Sequence, residues 1–363
     1  MSAFWNSRVR GLSPYVPGEQ PGEGKFIKLN TNENPYPPSP KAAAAIRALV
    51  SEGPDQRPAG ETLRLYPDPL CTAFREAAAA AYQVKPSQVF PGNGSDEVLA
   101  FAFGAFFDSQ ARSGEAPAPP LLFPDISYSF YPVYSGLWDI PFRTVPLAGD
   151  FSVDPEAYCV PSGGAVIPNP NAPTGRALGI GDILKIAGAL KEQGRVFIVD
   201  EAYAAFGAES ALPHIGAFPN LLTVHTLSKS ASFAGLRAGF AIGSEELIEG
   251  LYRIRDSFNS YTLDRLALAG AAAALSDRAY YDGINRRVIA TRERTAAALE
   301  ALGFEVVPSK GNFLFIRLEG RGGAELFRSL RERGILVRHF DKPRISEYLR
   351  VSIGSDGDMD AFL

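Results

Sequence analysis

Residues 196–199, Val-Phe-Ile-Val, run without interruption into an acid, Asp200. A short apolar run with no alternation reads as a strand buried on both faces, the mark of a central parallel strand. The figure recurs at residues 89–91, 121–123, 165–167 and 221–224. Helical patterns fall between the runs, at residues 40–50, 70–82, 98–107 and 183–191. Strands alternating with helices specify an α/β fold built on a mostly parallel sheet. Ligands of such sheets bind outside the carboxyl ends of the strands. The residues that follow each run are therefore the candidates for function.

Two of these strand ends carry unusual chemistry. Asp200 stands at the end of its run, and a buried carboxylate needs a partner; capping the next helix is the plainer use of an acid there. The run at 221–224 leads into Thr-Leu-Ser-Lys-Ser, a small-residue turn around Lys229, with Arg237 eight positions on between Gly235 and Gly239. A partly desolvated lysine loses its proton more easily and becomes an amine nucleophile. Hydroxyls such as Ser228 and a forked guanidinium such as Arg237 suit a phosphate. An exposed lysine in a serine-rich turn is the plainer alternative. The run at 89–91 ends in Gly92-Asn-Gly-Ser-Asp-Glu97 and then a helix. Gly94, Ser95 and Asp96 so sit where a helix N-terminus offers free N–H groups to an anion.

Composition narrows the classes. The chain has 363 residues, a formal net charge of −4 and mixed acids and bases, which excludes the clustered basic footprint of a nucleic-acid binder. Two cysteines make no disulfide framework and point to a reducing compartment, the cytoplasm. No membrane-length apolar run, signal-like N-terminus or metal-ligand cluster is seen.

Taken together, the ordered motifs Leu-Asn-Thr-Asn-Glu-Asn-Pro, Tyr-Pro-Asp-Pro, Gly-Asn-Gly-Ser-Asp-Glu, Pro-Thr-Gly, Asp-Glu-Ala-Tyr, Ser-Lys and Ala-Gly-Leu-Arg resemble the pyridoxal-phosphate aminotransferases of fold type I, in the histidinol-phosphate branch. The resemblance covers essentially the whole chain. It implies pyridoxal 5′-phosphate held covalently by Lys229, with Asp200 facing the pyridinium nitrogen and Tyr203 the phenolic oxygen. It implies Tyr128 stacked on the ring. Gly94, Ser95, Asp96, Thr226, Ser228 and Arg237 surround the cofactor and its phosphate. The pattern has Asn immediately before Pro-Thr-Gly; this chain has Ala172 there, and the role passes to Asn171. Tyr66 is implied to reach the partner's phosphate across a homodimer. Tyr15, Asn32, Arg338 and Arg350 are implied to face the substrate.

The implied organisation is an arm over residues 1–38, a large cofactor domain over 39–250 and a small α+β domain over 251–363. The implied reaction is transamination between histidinol phosphate and 2-oxoglutarate. A threonine-phosphate decarboxylase or an aromatic amino-acid aminotransferase shares the scaffold, and a binding protein without catalysis ranks last because Lys229 and Asp200 are both present. Arg350, a strand arginine flanked by apolar residues, needs an anion, with Glu347 the structural alternative. His225 reads as core.

Overall fold

The computed structural model describes residues 4–15, 18–20, 26–53, 58–110 and 117–363. A seven-stranded sheet forms its centre, in the spatial order Val89–Gly92, Gly239–Ile242, Leu221–Thr226, Phe197–Asp200, Ala165–Pro168, Leu121–Pro124, Phe142–Val145. All neighbours from Leu221–Thr226 to Phe142–Val145 are parallel. Gly239–Ile242 runs against both of its neighbours. The expected central runs are buried except for Val196, which is half-buried just before the strand Phe197–Asp200, and among the seven strands only the edge strand Phe142–Val145 shows an exposed face. Unbroken apolar runs are thus explained by a layer of helices on each face. One layer shares a core with Phe74, Ile183, Leu190 and Phe240, in which Phe74 meets Phe240 edge-on; the other shares a core with Phe90, Phe103 and Leu251.

A second sheet of four antiparallel strands follows, ordered Arg338–His339, Leu349–Ser352, Phe313–Leu318, Phe304–Val307. The N-terminal arm belongs to this unit. Ile27–Lys28 pairs in parallel with Ile335–Leu336, and Leu29 is buried with Leu314, Ile316 and Val351. Sequence alone gave the arm no core of its own, because two strand residues are too few to show a period.

Gly250, the expected domain boundary, falls inside the helix Glu245–Asp256. That helix buries Leu247, Ile248 and Leu251 with the large sheet. The changeover lies in the 24-residue helix Arg278–Ala301. Its Tyr281 and Ile284 join the large core, whereas Val288 and Leu299 join the small one. One rigid helix therefore serves both bodies.

The turn around Lys229 is a short helix, Leu227–Ser230, and not an open loop. Thr226 caps it by accepting from the Ser228 N–H at 3.1 Å. The helix Gly94–Phe106 approaches the sheet so closely that a Cβ on Gly239 would lie 2.5 Å from the Ser95 nitrogen and 2.6 Å from the Gly94 carbonyl carbon. Both are backbone atoms and cannot swing aside. Gly239→Ala is expected to destabilise the chain by about 1–3 kcal/mol, the usual range for overpacking. Urea unfolding checks this, and an unchanged midpoint would refute the close approach.

Candidate active site

Three adjacent parallel strands end in Pro168, Asp200 and Thr226, all of which line a cavity of about 170 Å³. It lies at the carboxyl edge of the sheet, where the strand pattern placed ligand binding. The small unit and the arm supply the opposite wall through Arg338, Arg350 and Asn32.

Lys229 reaches this cavity from its short helix. Its Nζ donates to the Thr31 carbonyl at 2.8 Å, and its own carbonyl accepts from Asn34 Nδ2 at 3.0 Å. Burial pushes the ammonium down to about 8, and the positive charges of Arg350 and Arg237 act in the same direction. Asp200 lines the same cavity and has no salt-bridge partner among the described residues. The carboxylate accepts from Tyr131 Oη at 2.9 Å and from the Ala202 N–H at 3.2 Å. Burial still pushes its carboxyl up to about 6, because two donors do not replace lost water. An acid in this state gains from a positively charged ring nitrogen.

A phosphate corner lies at one end. Arg237 donates to Asp96 Oδ2 at 2.8 Å and to Ser228 Oγ at 3.2 Å. Gly94 has φ +77°, and a Cβ there would lie 2.7 Å from the Arg237 guanidinium, so a larger residue would block the corner. Ser95 begins the adjacent helix with its N–H free of any helical partner. Tyr128 donates to Asp96 Oδ1 at 2.6 Å and lines the cavity. A flat cationic ring bearing a phosphate fits this donor set: cations and helix N–H groups at one end, an unpaired acid at the other.

Arg350 and Arg338 form the other pole. They face each other in register on neighbouring antiparallel strands. Arg350 donates to the Asn30 carbonyl at 2.9 Å, while its buried Nε has no hydrogen-bond partner. It makes no ion pair with Glu347 among the described residues. Burial lowers its affinity for a proton, as expected of a cation awaiting an anion. Tyr15 lies at the rim, stacked on Phe130 with centroids 4.3 Å apart.

Two residues sit elsewhere. Asn171 is not among the cavity-lining residues: its Nδ2 donates to the Ile126 carbonyl at 3.0 Å and to Thr174 Oγ1 at 2.9 Å, and Ala172 faces the cavity instead. The one-residue offset turns the side chain toward the turn it stabilises. Tyr66 is 77% exposed, stacked on Tyr261 with centroids 4.7 Å apart, away from this chain's own cavity. His225 is core, stacked on Phe240, with Nε2 3.0 Å from Thr223 Oγ1. Thr223 donates its hydroxyl to the Ile242 carbonyl, so Nε2 carries the hydrogen, and burial pushes His225 down to about 3.

Sequence reading missed Tyr131, Thr31 and Ser352. Each makes a polar contact with a site residue, and each lies in a stretch that reads as core or linker.

The model for aminotransferase class I and II matches residues 24–363. The chain belongs to that family. It is 54% identical to histidinol-phosphate aminotransferase 1 of Bordetella parapertussis and 54% identical to the histidinol-phosphate aminotransferase of Chromohalobacter salexigens, each over 100% of this chain and 98% of the relative. The histidinol-phosphate aminotransferase of Sinorhizobium meliloti, solved in complex with pyridoxal-5′-phosphate, superposes with a TM-score of 0.85 at 22% identity, over 99% of this chain and 96% of that one. That likeness is one of fold: type I, α/β, with a mostly parallel central sheet.

The Lys229 environment makes a direct prediction. In cofactor-free protein, the acylation rate of Lys229 should titrate with a midpoint near 8. Arg350→Met should move that midpoint upward, because a neighbouring positive charge disfavours the ammonium. Peptide mass mapping of a pH series measures both; a midpoint near 10 in the wild-type protein would refute the desolvated lysine.

Proposed function

We propose that this chain is a pyridoxal-phosphate-dependent histidinol-phosphate aminotransferase, moving an amino group between histidinol phosphate and 2-oxoglutarate in histidine biosynthesis. The relatives just described carry that name over their full length. The observation that carries the reading to a doubly anionic pair of substrates is the pole opposite the phosphate corner: buried Arg350, Nε unpartnered, with Arg338 beside it.

When bound, the cofactor supplies an electron sink for the pair left on the substrate Cα. The protein's part is positional and acid–base. Arg237, Ser95 and Ser228 hold the cofactor phosphate, with Gly94 leaving room. Asp200, held by Tyr131, keeps the ring nitrogen protonated. Tyr128 would cover the ring, and Tyr203 would face its phenolic oxygen; both line the cavity. Lys229 would hold the cofactor covalently, and its Nζ, once free, would take the proton from the substrate Cα and return it as general acid. Burial near 8 places that amine close to working pH. Arg350 and Arg338 fix the substrate's phosphate or carboxylate, since both anions suit a guanidinium fork. Tyr15 closes the rim.

We divide the chain into arm, large domain and small domain, with the transition inside Arg278–Ala301. We place it in the cytoplasm, supported by its two free cysteines. No helix among the described residues is long and apolar enough to cross a membrane.

Half-reactions of the holoenzyme with histidinol phosphate and with glutamate, followed by absorbance, test the reaction; no response to the phosphorylated donor would overturn it. Arg350→Ala should lower kcat/KM for both donors by about two orders of magnitude, the cost of a lost charged, bidentate contact. A loss confined to glutamate would make Arg350 a carboxylate site only.

The homodimer rests on a patch of exposed apolar residues around Tyr66, with Leu63, Leu65, Leu70 and Tyr261. Across it, Tyr66 donates to the partner's cofactor phosphate. Tyr66→Phe should weaken cofactor affinity by about 1–2 kcal/mol. A chain that light scattering shows monomeric and that is fully active at nanomolar concentration would contradict the shared site.

A further inference from the structure

We infer that Asn32 is a positioning residue that fixes the Tyr203 hydroxyl as a donor, and that Tyr203 thereby stands in for the asparagine that Ala172 replaces. The inference rests on the cofactor reading given above.

Asn32 is buried and holds a left-handed φ of +57°, a conformation that asparagine tolerates better than most residues. All four of its own polar groups are committed. Its N–H donates to Ser352 Oγ at 2.8 Å, and its carbonyl accepts from Asn312 Nδ2 at 2.9 Å. Its Oδ1 accepts the Ser352 hydroxyl proton at 3.0 Å. That last contact fixes the amide: with Oδ1 on Ser352, Nδ2 is the group that faces Tyr203 Oη, 3.0 Å away.

The Tyr203 oxygen therefore accepts from Asn32. Its single hydroxyl proton has no other acceptor among the described residues and is left for the cavity, which Tyr203 lines. Among the described residues at the end of the strand Ala165–Pro168, Pro168 and Ala172 offer no side-chain donor, and the Asn171 amide is spent on Ile126 and Thr174. A phenolic oxygen bound in the cavity would then depend on Tyr203 for its side-chain hydrogen bond. A phenol held by one donor and free to give its own proton is polarised toward giving it.

The consequence is measurable in the bound cofactor's visible band. A donor to the phenolic oxygen draws negative charge from it. The neighbouring nitrogen that Lys229 contributes then loses its proton more readily. Loss of the donor therefore raises the pH midpoint of the band. Asn32→Gly removes the amide while keeping the left-handed backbone free of strain. It should raise the midpoint, by less than Tyr203→Phe does, and raise the cofactor Kd roughly five-fold, as for one hydrogen bond. The decisive step is a double-mutant cycle: in the Tyr203→Phe background, Asn32→Gly should move the midpoint no further. A shift that persists undiminished in that background, or no shift in the single variant, overturns the inference. A role in folding alone would lower Tm in both backgrounds and leave the midpoint unmoved, which also overturns it. Failure of the cofactor reading is told apart by the wild-type chain, which would then show no visible band at all with pyridoxal phosphate.

Discussion

An acid buried at the end of a parallel strand without a cation beside it sets the terms for this molecule. Asp200 is almost fully buried, and its donors are a phenol and one backbone N–H. Paired with a structural arginine it would be satisfied, and inert. As it is, with its carboxyl pushed up to about 6 by burial, it would gain from a positive charge placed beside it. The strand could be built no other way and still deliver it. Four residues buried on both faces keep the carboxylate fixed at the sheet edge, and the register places it beside Val224, three residues before the Lys229 helix starts at Leu227. The same desolvation that raises the acid lowers the lysine.

The second constraint is distance. The phosphate corner at Arg237 and the anion pole at Arg350 belong to different sheets, joined by one long helix and by the arm. Arm residues touch both bodies: the Thr31 carbonyl accepts from Lys229, while Asn32 and the Asn30 carbonyl bind the small sheet at Ser352 and Arg350. The small sheet is thereby held to the Lys229 turn by a strap of three residues. The two sheets alone would leave that relation to a single helix.

Much of this was legible in the sequence, and the limits have physical causes. Lys229, Asp200 and Gly94 declared themselves because a buried strand followed by a polar turn has a local signature. Arg350 did so because an arginine between apolar neighbours is costly without an anion. Asn171 could be placed in the right turn, but not aimed: a one-residue offset decides whether an amide faces the cavity or its own loop. Tyr131 reads as one more aromatic in an apolar helix; its hydrogen bond to Asp200 joins positions 69 residues apart. Asn32 carries the same difficulty further, since its partners Tyr203 and Ser352 lie 171 and 320 residues away. No pattern of spacing encodes such contacts. The boundary at Gly250 failed to coincide with a change of packing because helix Glu245–Asp256 presents ordinary amphipathic spacing, which does not say which sheet it covers.

The charges of the two poles also bear on the timing of the lysine. Arg350 lies close enough to Lys229 for its charge to lower the lysine's proton affinity. An anion docked on that guanidinium offsets the field. On the proposed reading, the amine freed by substrate would then be more basic than the same amine with no anion on Arg350. A lower proton affinity would favour the unprotonated amine that attaches a cofactor, and a higher one would favour taking a proton from the substrate Cα. On that reading one buried arginine would have two effects of opposite sense on the same nitrogen, switched by the charge of the anion it binds. A lysine substituted at Arg350 would restore the charge but not the fork, so it would retain the field on Lys229 while losing the geometry that holds the anion in place.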